Sequence, residues 1–170
     1  MEAGKTSVIT VLVENKPGVL HLIANLFRRR NFNIESITVG PTERPDIARM
    51  TLTVNEDEKT IDQVVKQVAK QIDVLKVEEL VQGGFVMREL SLIKVKVKDA
   101  KERSDIINFV DVFRGRIIDV SQDSLTVEIT GTPDKIDAFL NLMKAFGILE
   151  LARTGITALS RGAKSIKIDQ

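Results

Sequence analysis

The stretch V-I-T-V-L-V-E-N-K-P-G-V-L, Val8 to Leu20, sets the frame for the whole chain. An apolar, β-branched run stops at Glu14-Asn15, a Pro-Gly pair follows, and a helical apolar pattern begins at once. That succession reads as a strand, a tight turn and a helix N-terminus. At such a turn, unpaired backbone N–H groups coincide with the positive end of a helix dipole, so it can hold a carboxylate or a phosphate. Local shape alone does not separate such a site from a plain connection.

Outward from this stretch, Ser7–Val13 is the first strand, and Pro17 is expected in the first helical turn, where its missing N–H is harmless. Val19, Leu20, Ile23, Ala24, Leu26 and Phe27 form the apolar stripe of the helix, which Arg28-Arg29-Arg30 closes as a solvated end opposing the dipole. Ile34–Val39 is a second strand, and Gly40–Asp46 a turn-rich loop. Ile47–Val54 is a third strand, with Ile47, Arg49, Thr51 and Thr53 on one side and Ala48, Met50, Leu52 and Val54 on the other. The acidic run Glu56-Asp57-Glu58 opens a second helix with the stripe Ile61, Val64, Val65, Val68 and Ile72, and Asp73–Val81 is a fourth strand. The order β-α-β-β-α-β is the ferredoxin-like arrangement, an antiparallel sheet with two helices on one face. Val8–Val13 and Ile34–Val39 are too apolar to face water, and a second copy of the chain is the expected cover.

Gln82-Gly83-Gly84 is the natural boundary. Beyond it come a strand at Leu90–Val97, a helical stripe at Ile106, Ile107, Val110 and Phe113, and strands at Gly115–Val120 and Leu125–Thr130. Thr132-Pro133 caps a helix with the stripe Ile136, Phe139, Leu140 and Met143. Gly147 ends that helix, Ile148–Leu159 is one long strand broken at Gly155, and Arg161–Gln170 is a polar tail expected to fray. The class is therefore α+β, two ferredoxin-like βαββαβ domains in tandem, residues 1–82 and 83–170. The two halves share element order and little residue identity. Their opening turns differ most: the second half has Lys98-Asp99-Ala100-Lys101, without a glycine to let a ligand approach the backbone.

Composition narrows the function. The chain has 170 residues, a formal net charge of +1, and no Cys, Trp or Tyr. Disulfides, thiolate metal sites and thiol nucleophiles are excluded, and the balanced charge supplies no field for nucleic acid. The opening M-E-A-G-K-T-S lacks a signal-peptide pattern, and no apolar run reaches transmembrane length, so a soluble, cytoplasmic protein is expected. His21 is the single histidine, too few for a multi-histidine metal site, and no nucleophile accompanies it. Glu35 and Asp119 fall in expected strands and read as salt-bridging residues. No catalytic residue and no metal ligand is assigned. RNA-recognition domains of the same topology stack bases on sheet aromatics; here Phe27, Phe109, Phe113, Phe139 and Phe146 fall on or beside helix cores. A small-ligand sensor or protein-binding module remains.

Three motifs of the first half, N-K-P-G-V-L at Asn15–Leu20, N-I-E-S-I-T-V at Asn33–Val39 and R-M-T at Arg49–Thr51, resemble an ACT domain. Together with F-R-G-R-I-I-D-V at Phe113–Val120 and A-R-T-G-I-T-A-L-S-R-G at Ala152–Gly162, they resemble the regulatory small subunit of acetohydroxyacid synthase, also called acetolactate synthase. The resemblance implies a non-catalytic subunit in branched-chain amino-acid biosynthesis that activates a catalytic large subunit and confers feedback inhibition, typically by valine. The catalytic partner would carry thiamine diphosphate and Mg²⁺, with FAD a further candidate; this chain would carry no cofactor. It further implies a homodimer through the ACT domain, with the amino acid bound between copies. The implied effector-binding residues are Asn15, Pro17, Gly18, Val19 and Leu20 of one copy and Asn33 and Ile34 of its neighbour. An ACT-type sensor regulating a different metabolic enzyme is the alternative.

Overall fold

A computed structural model describes residues 5–81 and 83–168. Gln82 of the expected boundary, the first four residues and the last two of the expected frayed tail lie outside the described residues. Two compact units form, one of residues up to Val86 together with those from Ile156 onward, the other Met87–Gly155.

In the first unit, β1 (Lys5–Glu14), α1 (Val19–Arg30), β2 (Ser36–Pro41), β3 (Ile47–Glu56), α2 (Glu58–Val68) and β4 (Val74–Leu80) follow the expected order. The antiparallel sheet runs β2-β3-β1-β4. The apolar strand β1 is therefore interior, paired along its length with β3 (Val11 opposite Met50) and with β4 (Val11 opposite Val77). β2, and not β1, lies at the edge. Ile9, Val11, Val13, Ala48, Met50, Leu52 and Val54 alternate along β1 and β3 and meet Val19, Ile23 and Phe27 of α1 and Ile61, Val64 and Val68 of α2 in one core. The period of two on the strands and the i, i+4, i+8 spacing on α1 are what a helix laid on a sheet requires. Leu20 is 48% exposed and Ile72 91% exposed. Both were expected in the helical stripes; α1 turns Leu20 off its contact face, and α2 ends at Val68, before Ile72.

The face of this sheet turned away from the helices is also buried in part. Thr10 is 0% and Thr51 1% exposed. Part of its cover comes from the chain itself. After Gly155, at φ +83, the backbone leaves the second unit and returns to the first. Thr38 Oγ1 donates to Ile156 O at 2.9 Å, Arg49 Nη2 donates to Ala158 O at 2.9 Å, and Lys164 pairs with Glu78. The expected strand Ile148–Leu159, broken at Gly155, is two strands, Ile148–Arg153 and Thr157–Ser160, and the second also lends the Ala158 carbonyl to Arg49 of the first unit. The polar tail, as far as Ile168, has no regular structure, yet it is pinned by the Lys164–Glu78 pair.

The second unit contains β5 (Phe85–Lys96) from Met87 onward, α3 (Ala100–Val112), β6 (Arg116–Val120), β7 (Ser124–Gly131), α4 (Pro133–Met143) and β8 (Ile148–Arg153), in the sheet order β6-β7-β5-β8. β9 (Thr157–Ser160) pairs with β5 off this path. The predicted stripe Ile136, Phe139, Leu140 and Met143 is buried in full, against Ile93, Val95, Leu125, Val127 and Ile129. Thr132 stands at the N-cap with Pro133 in the first turn, but its hydroxyl makes no capping bond. At the open end of β5, Arg153 holds Glu89 through two bonds of 2.6 and 2.8 Å and reaches Asp137 of α4 at 2.7 Å. The carboxylates hold the Arg153 guanidinium above its ordinary pKa.

Glu89 is only 4% exposed. Arg153→Ala would leave that carboxylate buried without a counter-charge, and removing one partner of a buried pair costs about 3–5 kcal/mol. The expected outcome is a loss of that size in urea unfolding, largely restored by adding Glu89→Gln to the Arg153→Ala chain; an unchanged midpoint for Arg153→Ala would contradict this role.

Candidate functional site

The turn between β1 and α1 is built around one backbone conformation. Gly18 is the N-cap of α1 at φ +91, a left-handed value that a side chain disfavours. Pro17 therefore lies before the helix, in the turn, and not inside its first turn as expected; the glycine reverses the chain into α1. No side chain caps the helix, and a Cβ built at Gly18 would meet nothing within 4 Å. The N–H groups of the first turn are thus left open beside a position with no side chain.

The turn is braced from both sides. Asn15 N donates to Asp46 O at 2.8 Å, and Asn15 Nδ2 donates to Pro45 O at 2.9 Å, tying the end of β1 to the β2–β3 loop. Lys16 bridges Glu14 and Asp73, each at 2.6 Å, and Glu14 N donates to Asp73 O at 2.9 Å. Those hydrogen bonds to two carboxylates raise the Lys16 pKa. Asn15 therefore shapes the turn with the amide that sequence reasoning assigned to a ligand.

A groove of about 350 Å³ runs from this turn along α1, lined by Pro17, Gly18, His21, Leu22, Asn25, Leu26, Arg29, Gln71 and Asp73. Pro17 and Gly18 are thus the expected site residues that line it. Val19 is buried in the core at 3% exposure, and Leu20 points to solvent. Ile34 packs on the edge of the same core, and Asn33 donates to Glu35 Oε1 at 2.8 Å. Glu35 precedes β2 and Asp119 is exposed on β6. The groove residues that sequence reasoning passed over, Leu22, Asn25 and Arg29, recur at three- and four-residue steps from Gly18, so the helical period marked them. Asp73 and Gln71 come from before β4 and carried no such signal. His21 Nε2 and Asn25 Nδ2 are 2.6 Å apart within the groove.

The corresponding turn of the second unit is closed. Asp99 caps α3 by accepting from Glu102 N at 2.8 Å, while Glu102 Oε2 accepts from Lys98 N at 2.9 Å. The Asp99 carboxylate thereby occupies a first-turn N–H of the kind that α1 leaves open. Among the described residues there is no cluster of His, Asp and Glu able to hold a metal ion, and no helix long and apolar enough to cross a membrane.

Family models match both halves: the AHAS small subunit-like ACT domain over residues 9–76, and the small subunit of acetolactate synthase over residues 88–162. The chain belongs to the acetolactate synthase small-subunit family. A probable acetolactate synthase small subunit of Methanothermobacter thermautotrophicus is 55% identical over 95% of this chain and 96% of that protein. The acetolactate synthase small subunit of Mycolicibacterium smegmatis is 46% identical over 95% of this chain and 94% of its own. The crystal structure of the small subunit from Thermotoga maritima superposes with a TM-score of 0.87 at 43% identity, covering 94% of this chain and 99% of that one. The tandem α+β fold and the ACT character of the first half are those of this family, one of regulatory small subunits, and membership implies association with a catalytic subunit.

Because nothing crowds Gly18, substitution there should cost backbone strain alone, about 1–2 kcal/mol for an alanine held in the left-handed region. Asn31, which ends α1 at φ 56, shows that asparagine accepts this conformation here. The expected order of thermal stability is wild type, then Gly18→Asn, then Gly18→Ala; equal melting temperatures for all three would mean the turn relaxes freely.

Proposed function

We propose that this chain activates a thiamine-diphosphate-dependent acetolactate synthase large subunit and makes it subject to feedback inhibition by valine or another branched-chain amino acid. The observation that carries the effector reading is the uncapped, glycine-lined N-terminus of α1 beside a groove, set against the self-capped N-terminus of α3. A free amino acid needs an anion site and an apolar contact. The open N–H groups at Gly18 suit the carboxylate, and Leu22 and Leu26 of the groove suit an aliphatic side chain. The groove is at the small end of ligand-pocket sizes, as suits one amino acid.

The remaining implied residues act from a second copy on this reading. Asn33 and Ile34 lead into β2, a sheet edge whose partner within the chain is β3. Pairing of β2 with β2 of a neighbour would form an isologous dimer and carry Asn33 and Ile34 toward the neighbour's turn. Catalysis, with thiamine diphosphate, Mg²⁺ and the further candidate FAD, belongs to the large subunit, and the assembly is cytoplasmic.

Calorimetric titration of the full chain with valine, leucine and isoleucine should show saturable binding of at least one. Gly18→Asp and Gly18→Asn share a tolerance of the left-handed backbone, so their difference isolates charge. Gly18→Asp should weaken binding by about tenfold or more, as expected when a carboxylate occupies the ligand's own anion position, while Gly18→Asn stays within a few-fold. No binding by any of the three amino acids would remove the effector claim, and equal binding by both variants would move the site elsewhere. Added to the large subunit, the chain should raise pyruvate consumption and valine should reverse the rise; alone it should consume none.

A further inference from the structure

A second, larger pocket of about 770 Å³ lies in the first unit, between the sheet face turned from the helices and the returning segment after Gly155. Leu12, Ile47 and Arg49 line it from β1 and β3, Glu43 from the β2–β3 loop, and Leu159, Ile166 and Lys167 from the returning segment. Leu12 and Arg49 are directly opposed in the β1–β3 register.

Arg49 is the unusual group. It is partly buried, and burial pulls its guanidinium below the ordinary pKa. Its bonds go to neutral oxygens, Ala158 O at 2.9 Å and Thr10 Oγ1 at 3.4 Å. Its Nε is closed to solvent and has no acceptor. Glu78 and Glu43 favour its charge from a distance, but Glu78 is engaged by Lys164, and neither makes an ion pair with Arg49. The other cations around the pocket are matched, Arg44 by Asp46 at 2.8 Å and Lys164 by Glu78, whereas Lys167 has no partner among the described residues. A partly buried guanidinium without a contacting anion is costly, and native proteins ordinarily pair such charges.

We propose that this pocket binds a short-chain aliphatic carboxylate, held by the Arg49 guanidinium and Lys167 ammonium, with its chain against Leu12, Ile47, Leu159 and Ile166. The aliphatic lining selects against inorganic phosphate, and Arg49 and Lys167, set against Glu43, the single pocket carboxylate and unpaired among the described residues, select against an amine of the same length. The site is separate from the α1 groove: the two share no lining residue. Because the bound anion touches both β3 and the returning segment, occupancy also fastens that segment to the sheet.

The test is titration of the full chain with butanoate, hexanoate, hexan-1-amine and inorganic phosphate, followed by calorimetry and by amide chemical shifts. Hexanoate should bind saturably, and butanoate more weakly, by about fourfold for each methylene no longer buried. The amine and phosphate should not bind at comparable concentration. Arg49→Gln should weaken hexanoate by about tenfold or more, the effect of losing a hydrogen bond to a charged group. Lys167→Glu alters an exposed residue outside the sheets, so it decides the matter if Arg49→Gln fails to fold; a loss of about tenfold is expected there too. Gly18→Asp should leave hexanoate binding intact. The proposal is overturned by absent hexanoate binding, by amine or phosphate binding as tight as hexanoate, by unchanged affinity in Lys167→Glu, or by loss of hexanoate in Gly18→Asp.

Discussion

The first unit rests on the two-sided burial of its central strand. β1 pairs on one side with β3 and on the other with β4, and Ile9, Val11 and Val13 are at 0% exposure toward the helices. On the opposite face Val8, Thr10 and Leu12 are no more than 7% exposed. A strand buried on both faces needs a layer on each side. Two helices form one layer. A βαββαβ chain has none left for the other, and the fold answers in part by sending its own last segment back across that face.

The polar character of that second face follows from the same constraint. Thr10, Thr51 and Thr53 are buried, and Ser36 Oγ and Thr53 Oγ1 lie 2.6 Å apart. Hydroxyls and one guanidinium can bond to backbone carbonyls of a segment that crosses the face, which an apolar face could not do. Thr38 and Arg49 satisfy Ile156 O and Ala158 O in this way. The same choice leaves Arg49 short of a counter-ion and opens the larger pocket.

The two units show how one topology is adapted to different duties. Both set two helices on an antiparallel sheet, with cores of nearly the same residue types. They diverge at the first strand–helix turn. Asp99 and Glu102 satisfy the start of α3 internally, whereas Gly18 leaves the start of α1 to whatever approaches it. Helix N-termini need their N–H groups satisfied, so replacing the capping side chain by a glycine gives up a local bond and leaves an anion-receptive surface.

Much of this was legible in the sequence because it depends on neighbours along the chain. Alternation along Ile47–Val54 sorted Ala48, Met50, Leu52 and Val54 from Ile47, Arg49, Thr51 and Thr53, and the β3 register keeps those two sets on opposite faces. The stripe of α4 was readable residue by residue, and the glycine turn at residue 18 announced itself through Pro-Gly before a helical period. The lining of the groove was only half legible: Pro17 and Gly18 came from the motif, but Gln71 and Asp73 reach it from an element far along the chain. Asn15, assigned to a ligand, spends its amide on Pro45 O, a contact across 30 residues that no local pattern reveals.

The sequence by itself determined the element order, the α+β class, the family and the asymmetry between the two opening turns, since periodicity, caps and motifs are local properties of the chain. Tertiary structure alone decided that β1 is interior, that Val19 is core and Leu20 is not, and that the chain after Gly155 returns to the first unit. Gly155 marks a break in the chain, but neither Ile148–Arg153 nor Thr157–Ser160 carries a pattern that says which unit it joins. The physical reason is that alternation records that a strand has a buried face, and only the packed fold decides which sheet buries it.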